Sequence, residues 1–495
     1  ELHSRLASEP DLFSENTESA RASATPLPAP AGRPMASIAK PLTPDFRRRG
    51  VRPLAWAAGL VLAAVGIWVL GWKWTTAGRP ATSTAVAMLT RTVDAQWAEG
   101  KQRPRVGSAL KPGWLRLRSG LAQVVFYSGA RVVLEGPAEL RLVSANEAAC
   151  PRGRLLAEVP EPARGFRLST DQLKLVDLGT SFGIDATSRQ TEVHVFKGKV
   201  ELRPGTRTTQ PLAEQQAAVV RENAAPRLME ASATAFSSMF EFQQRSLASE
   251  AFRYERWQFA NAQLNEDPSL VVHLDFENLS GTDWTLRNAA ARNRSVPNAT
   301  VVGCVRGEGR WREKQALELQ TVNDRVRLAV PGDFDALTLS AWVCIKGLDR
   351  QFNSLFMCDG FEPGTIHWLI RDDGVLGLTV IGPRAGKFQI LASSPVPRLE
   401  EFGMWLHLAV VLDGRNRQVI HYVDGEPVSR HALRIEPPFR IGPAELGNWN
   451  AQSGSDPTPF LIRNLSGSFD EFALFGRALS DGQVRELHAQ GKPYP

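Results

Sequence analysis

The stretch HWLIRDDGVLGLTVI, residues 367–381, reads as two runs of apolar and β-branched residues folded back on each other at Asp372-Asp373-Gly374. Aspartate and glycine supply the tight turn, and the flanking runs are too short for helices, so the stretch predicts an antiparallel hairpin. The same pattern recurs around it, in SLVVHLDFE (269–277), ALELQ (316–320), DRVRLAV (324–330), LTLSAWVCI (337–345), WLHLAVVLD (405–413), RQVIHYVDG (417–425) and SGSFDEFALF (466–475). Further turns are marked by DGRN at 413–416 and DGE at 424–426. Strands this regular predict an antiparallel β-sandwich over residues 267–491.

Upstream, LAQVVFYSGARVVLEG (121–136), AELRLVSA (138–145), LKLVDLG (173–179) and TEVHVFKGKVELRP (191–204) predict a second all-β domain over 84–222. Between the two, glycine and proline vanish from Glu230 to Leu264 while Phe236, Phe240, Leu247, Phe252, Trp257 and Leu264 recur. That spacing predicts one or two amphipathic helices, a helical spacer within 223–266. The fold class expected is therefore mainly β, with one further element at the N-terminal side.

That element is LAWAAGLVLAAVGIWVLGW, residues 54–72, which holds no charged residue, follows Arg47, Arg48, Arg49 and Arg52, and is closed by Lys73. About nineteen residues at roughly 1.5 Å each span about 28 Å, close to a bilayer's hydrocarbon thickness. Trp56, Trp68, Trp72 and Trp74 cluster toward its ends, where indoles meet headgroups. The reading is one transmembrane helix within 47–74, set against a buried core helix or a signal peptide, for which Thr75-Thr76-Ala77-Gly78 is a poor cleavage site. The arginines keep the leading side cytoplasmic, so the chain is expected to be a single-pass inner-membrane protein with its β domains outside the cytoplasm. Residues 1–46, with ATPLPAPA at 24–31, are expected to be a disordered cytoplasmic tail.

The 495 residues carry a net charge of +6 and 43% hydrophobic residues, enough for two or three cored units and without a nucleic-acid signature. Four cysteines, Cys150, Cys304, Cys344 and Cys358, form no metal-type pair, although Cys344 and Cys358 are placed to face one another across a hairpin. The eight histidines are scattered without a zinc pattern.

The segment from Gly129 to Ala186, above all VDLGTSFG (176–183), together with HVFKGKVEL (194–202), resembles the FecR-type sensor domain. The resemblance implies an extracytoplasmic domain joined by one helix to a cytoplasmic segment, before residue 46, that controls a sigma factor. LTLSAWV (337–343), WLHLAVVLDG (405–414), YVDGEPV (422–428) and SGSFDEFALFGRALSDGQVREL (466–487) resemble laminin-G-like, concanavalin A-like jelly rolls. That resemblance implies a sandwich that binds a polysaccharide or a surface protein, with Ser480 capping a short closing helix.

Catalysis has little to stand on. Gly179-Thr180-Ser181-Phe182-Gly183 satisfies G-x-S-x-G, but both flanks are strand-like and a nucleophile elbow needs a helix to follow. The paired carboxylates of laminarinase-like jelly rolls, E-x-D-x-x-E or E-x-D-x-x-x-E, occur only at Glu9, Asp11 and Glu15, outside the sandwich. The chain is thus expected not to be an enzyme, with a membrane-anchored glycan-degrading enzyme and a passive adhesin or scaffold as alternatives. For binding, Trp449 flanked by Asn448 and Asn450 is the expected aromatic platform and amide pair for a sugar, and Trp342 and Trp405 read as core. Asp324 and Asp470 are candidate calcium ligands, each set against a structural reading as turn cap or arginine partner.

Overall fold

The computed structural model describes residues 85–98, 104–204, 208–222, 224–277, 284–293, 295–383, 387–396, 401–449 and 462–494. The tail of 1–46, the apolar run of 54–72 and Asn450 lie outside the described residues. Residues 81–495 form one compact unit, and every residue of its apolar cores lies between Val86 and Leu487. No helix among the described residues is long and apolar enough to cross a membrane.

The first β body is a 13-stranded sheet built on a meander of long neighbours, Ala87–Trp97, Gly113–Phe126, Arg131–Ser144 and Glu147–Glu158, each antiparallel to the next. Glu147–Glu158 then forks. Its start pairs parallel with Arg167–Ser169, and its end pairs antiparallel with Ser181–Ala186. The fork curls the sheet around a core in which Phe126, Phe166, Phe182, Leu134 and Val195 are fully buried.

The second body is a sandwich of two 8-stranded sheets, antiparallel throughout. One runs Val305–Glu308, Gln315–Leu319, Ser466–Phe475, Ala336–Gly347, Trp405–Asp413, Gln418–Val423, Glu426–Ala432, with Leu270–Leu274 also on Ser466–Phe475. The other runs Thr285–Leu286, Ala299–Val302, Arg325–Phe334, Phe439–Leu446, Phe352–Cys358, Ile366–Arg371, Val375–Ile381, Phe388–Pro395. Late strands inserted between early ones, Ser466–Phe475 in the first sheet and Phe439–Leu446 in the second, give the jelly-roll connectivity. The turns behave as their residues require. Asp424 and Gly425 adopt φ of 51° and 80° in a two-residue hairpin, and Gly374 closes the 372–374 turn at φ 81°.

The two bodies share one long helix, Met239–Leu264, started by a capping box in which Ser238 and Glu241 exchange side-chain-to-backbone hydrogen bonds. Residues 227–230, within the stretch read as spacer, form a strand on Gln216–Arg221. The buried face of the helix also differs from the expected one. Phe242, Tyr254 and Trp257 are buried, whereas Phe240 and Phe252 are 69% and 65% exposed. Phe242 fills a cluster with Val93, Leu121, Val133 and Leu156 of the first body, while Tyr254 and Trp257 stack on each other and lie tilted against Trp311 of the sandwich. The helix is anchored at one end in each body.

All four cysteines are free thiols. Cys344 and Cys358 do not face one another across a hairpin, because they stand on strands of different sheets and only Cys358 points into the core between them.

Candidate functional site

The two outer faces of the sandwich differ. On the first sheet, Ala409, Val411, Ile420, Tyr422, Ala473 and Phe475 are covered by Leu479 and Val484 at the C-terminal helix Asp481–Gly491, itself started by a Ser480–Gln483 capping box. Trp257 of the long helix reaches the same face and donates to Glu471 at 2.9 Å.

On the second sheet no helix lies over the strands among the described residues. Registers align one outward row across it: Thr300, Arg327, Glu445, Met357, His367, Thr379, Ile390. Their strand neighbours Val326, Leu446, Phe356, Trp368 and Leu378 point the other way, into the core. At one end of the row Arg327 forks onto Asp359, Nη1 to Oδ1 at 2.8 Å and Nη2 to Oδ2 at 2.7 Å, and Nη1 also donates to buried Glu445 at 2.8 Å. The middle is aromatic. Phe361, His367 and Trp449 meet at centroid distances of 4.9 to 5.6 Å, and Phe361 is 55% exposed. At the far end Phe388 and Ile390 are 59% and 63% exposed.

The aromatic cluster is held in place from beneath. The Trp449 indole donates to the Cys358 carbonyl at 2.9 Å, and the Arg463 guanidinium lies 4.1 Å from its ring centroid. His367 faces the Gly360 carbonyl through Nε2 at 3.1 Å, and burial pushes its pKa down to about 4, so the ring is neutral near pH 7. Such a fixed ring cluster beside charged hydrogen-bonding groups can stack an apolar ring face and bind hydroxyls at one edge.

Of the expected binding residues, Trp449 lies in this cluster, half-buried. Asn448 does not present its amide to a ligand. Its Nδ2 donates to the Val322 and Asp324 carbonyls at 2.8 and 3.1 Å, and its Oδ1 accepts from Trp449 N. It staples the loop that carries Trp449. The sequence reading missed Phe361, Arg327, Asp359 and Arg463; the only local sign was an aromatic residue in a turn, CDGFEPG at 358–364.

The two candidate calcium ligands are engaged by the protein. Asp324 accepts from Gln320 N, Thr321 N and Thr321 Oγ1 at 2.6 to 2.7 Å, a turn cap. Asp470 accepts from Arg310 N at 2.5 Å and Arg310 Nε at 2.6 Å, with Lys314 Nζ at 3.2 Å. Two cations against one carboxylate repel a third. Among the described residues no group of three or more His, Cys, Asp or Glu side chains is disposed to hold a metal.

Asp470 belongs to a buried lock joining helix and sandwich. The Arg310 guanidinium lies 4.6, 4.8 and 5.5 Å from the ring centroids of Trp342, Trp311 and Trp257, bonds Glu471, and donates to the Gly491 carbonyl at 2.8 Å. Burial alone would raise the Glu471 carboxyl, but Arg310, His273 and Lys314 hold it far below the usual carboxylate range. Trp342 is thus buried in this lock, on the outer face of its sheet, and Trp405 is only half-buried.

In the first body the VDLGTSFG segment makes a turn, not a nucleophile elbow. Asp177 accepts from Gly179 N at 2.7 Å and from the Thr180 hydroxyl, and Ser181 opens a strand. HVFKGKVEL packs directly on that turn. Leu178 N donates to the Lys199 carbonyl, and a Cβ at Gly198 would sit 2.6 Å from the Gly179 carbonyl oxygen.

No curated protein matches the chain. Among solved structures, the binding domain of Paraclostridial Mosquitocidal Protein 1 is 16% identical over 44% of this chain and 52% of its own, with a TM-score of 0.35. Domain 4 of an extracellular arabinanase from Geobacillus stearothermophilus, in complex with arabinotriose, is 18% identical over 44% of this chain and 98% of its own, with a TM-score of 0.33. A putative anti-sigma factor from Parabacteroides distasonis is 21% identical over 24% of this chain and 61% of its own, with a TM-score of 0.22. The chain spans about half the length of the first of these. Family comparison matches residues 117–201 to the FecR protein family and residues 320–485 to the Concanavalin A-like lectin/glucanases superfamily, so the chain carries a FecR segment followed by a concanavalin A-like segment.

Proposed function

We propose that the chain is a recognition protein whose sandwich binds a polysaccharide on the outer face of its second sheet and whose FecR segment relays or scaffolds that event. The observation that carries the reading is the contrast between the faces: one is covered by the C-terminal helix, while the other presents Phe361 and Trp449 beside the Arg327–Asp359 fork. Exposed rings stack on sugar rings, and a charged fork at their edge suits hydroxyls. In this reading residues 54–72 anchor the chain in an inner membrane with residues 84–495 outside the cytoplasm, and a sigma factor is the cytoplasmic partner implied by FecR-type relatives. A relay needs two states with different ligand affinity. The long helix, seated in both bodies, is the element through which such a difference would pass.

The test is retention of the 81–495 unit on a panel of immobilised polysaccharides, scoring released sugar alongside. Retention without release is expected, weakened about tenfold by Phe361→Ala or by Arg327→Gln, a loss of about 1.4 kcal/mol. Retention indifferent to both substitutions removes this face from the reading. Released sugar would convert the protein into a glycan-degrading enzyme, and no retention on any polysaccharide would favour a surface-protein ligand or a passive scaffold.

A further inference from the structure

The long helix packs on one end of the outer face of the first body's meander. At one end Val133, Leu156 and Leu121 lie under Phe242 of the long helix. At the other end Trp114, Arg116, Arg118 and Arg141 are exposed. There the registers set Trp114 opposite Arg141, and Arg116 opposite Glu139, which in turn faces Arg152. Strand alternation puts Arg118 on the same side, while Leu115, Leu117, Leu140 and Leu142 point into the core.

Trp114 is 45% exposed, with the Arg116 and Arg141 guanidinium carbons 5.4 and 5.9 Å from its ring centroid. Glu139 reaches Arg116 at 3.7 Å with both side chains well exposed, a pair worth little. The patch is rich in arginine and centred on an indole. Guanidinium groups around a half-exposed tryptophan match the headgroup zone of a bilayer, where phosphates meet the cations and an indole sits between water and acyl chain.

We infer that this face docks on a bilayer surface bearing anionic phosphate headgroups. The inference rests on the membrane reading of residues 54–72 for its tether: residues 73–86 separate that run from the first strand and reach at most about 50 Å, which keeps the body near the surface and makes docking an intramolecular event.

The experiment is co-sedimentation of the 81–495 unit, which has no part of the apolar run, with vesicles of phosphatidylcholine alone or with phosphatidylglycerol added, over a salt series. Binding is expected only to the phosphatidylglycerol vesicles, falling as salt rises, with Arg116→Gln and Arg141→Gln each weakening it about fivefold and Trp114→Ala weakening it further. These side chains are exposed, so unchanged thermal unfolding of each variant shows that folding is not the cause. Binding to neither vesicle, or binding indifferent to the three substitutions, overturns the inference. So does retention by a soluble acidic polysaccharide with none by vesicles, which would assign the face to that polymer. Failure of the full chain to insert in a membrane would sink the anchor, a result separate from the vesicle binding of 81–495.

Discussion

Gly198 shows how a single atom ties the FecR motif together. Its φ of 83° suits glycine, and a methyl group there would strike the backbone of the Gly179 turn. Gly198→Ala is expected to cost about 1–3 kcal/mol, read as a lowered urea midpoint at constant slope. Asp470 is the opposite case, a charge whose removal strands its partners. Arg310 and Lys314 are wholly buried around it, so Asp470→Asn leaves them one carboxylate short, with only Glu471 and Glu277 opposite, and is expected to cost about 3–5 kcal/mol in the same assay. A result under about 1 kcal/mol would mean that Glu471 and the three tryptophans carry the lock without it.

Among the elements, the helix Met239–Leu264 departs furthest from its sequence pattern. A list of its aromatic residues gives no single stripe, because its two ends serve different cores. Phe242 faces the first body, Tyr254 and Trp257 the sandwich, and Ala248 between them is exposed. Ala248→Pro removes a mid-helix hydrogen bond, costing about 3 kcal/mol or more, without touching either core. The expected outcome is a single cooperative unfolding transition in the parent and two resolved transitions in the variant, followed by calorimetry. One transition in both would show that the bodies are coupled by other contacts, such as the Arg105–Asp424 pair at 2.5 Å.

Across the whole molecule, buried histidines set the response to acid. Burial pushes His367 and His421 down to about 4 and His407 down to about 3, against an ordinary value near 6.5. Depressed groups of this kind contribute stability that is complete above the unfolded pKa and lost as pH falls through the folded value. Asp177, pushed up to about 6 by burial, works in the other direction and gains as pH falls from 6 toward 4. Three groups outweigh one, so the melting temperature is expected to fall between pH 6.5 and 4. His367→Gln, which keeps a donor for the Gly360 carbonyl, is expected to make that fall shallower. A flat profile in the parent would contradict the buried, neutral state of these rings.

At that same scale, what the sequence determined follows from local physics. Alternating β-branched runs and Asp-Gly turns specify strands and hairpins wherever they occur, so the all-β character, the sandwich and the Asp424-Gly425 hairpin were all legible. So were Ser480 as a cap and the absence of an elbow at Ser181, since each depends on a few adjacent residues. The second partner of each side chain was not legible, because contacts such as Arg310 to Asp470 span 160 positions in sequence. Asn448 and Asp470 have the side-chain chemistry of ligand-binding residues, yet tertiary packing turned them inward as staple and counter-ion, whereas Asp324's turn cap is local. The same packing covered one outer face with a helix and brought Phe361, Trp449 and the Arg327–Asp359 fork together on the other from strands and loops distant in sequence. A strand's pattern states which residues leave the core, but only the fold decides whether what they meet outside is protein or solvent.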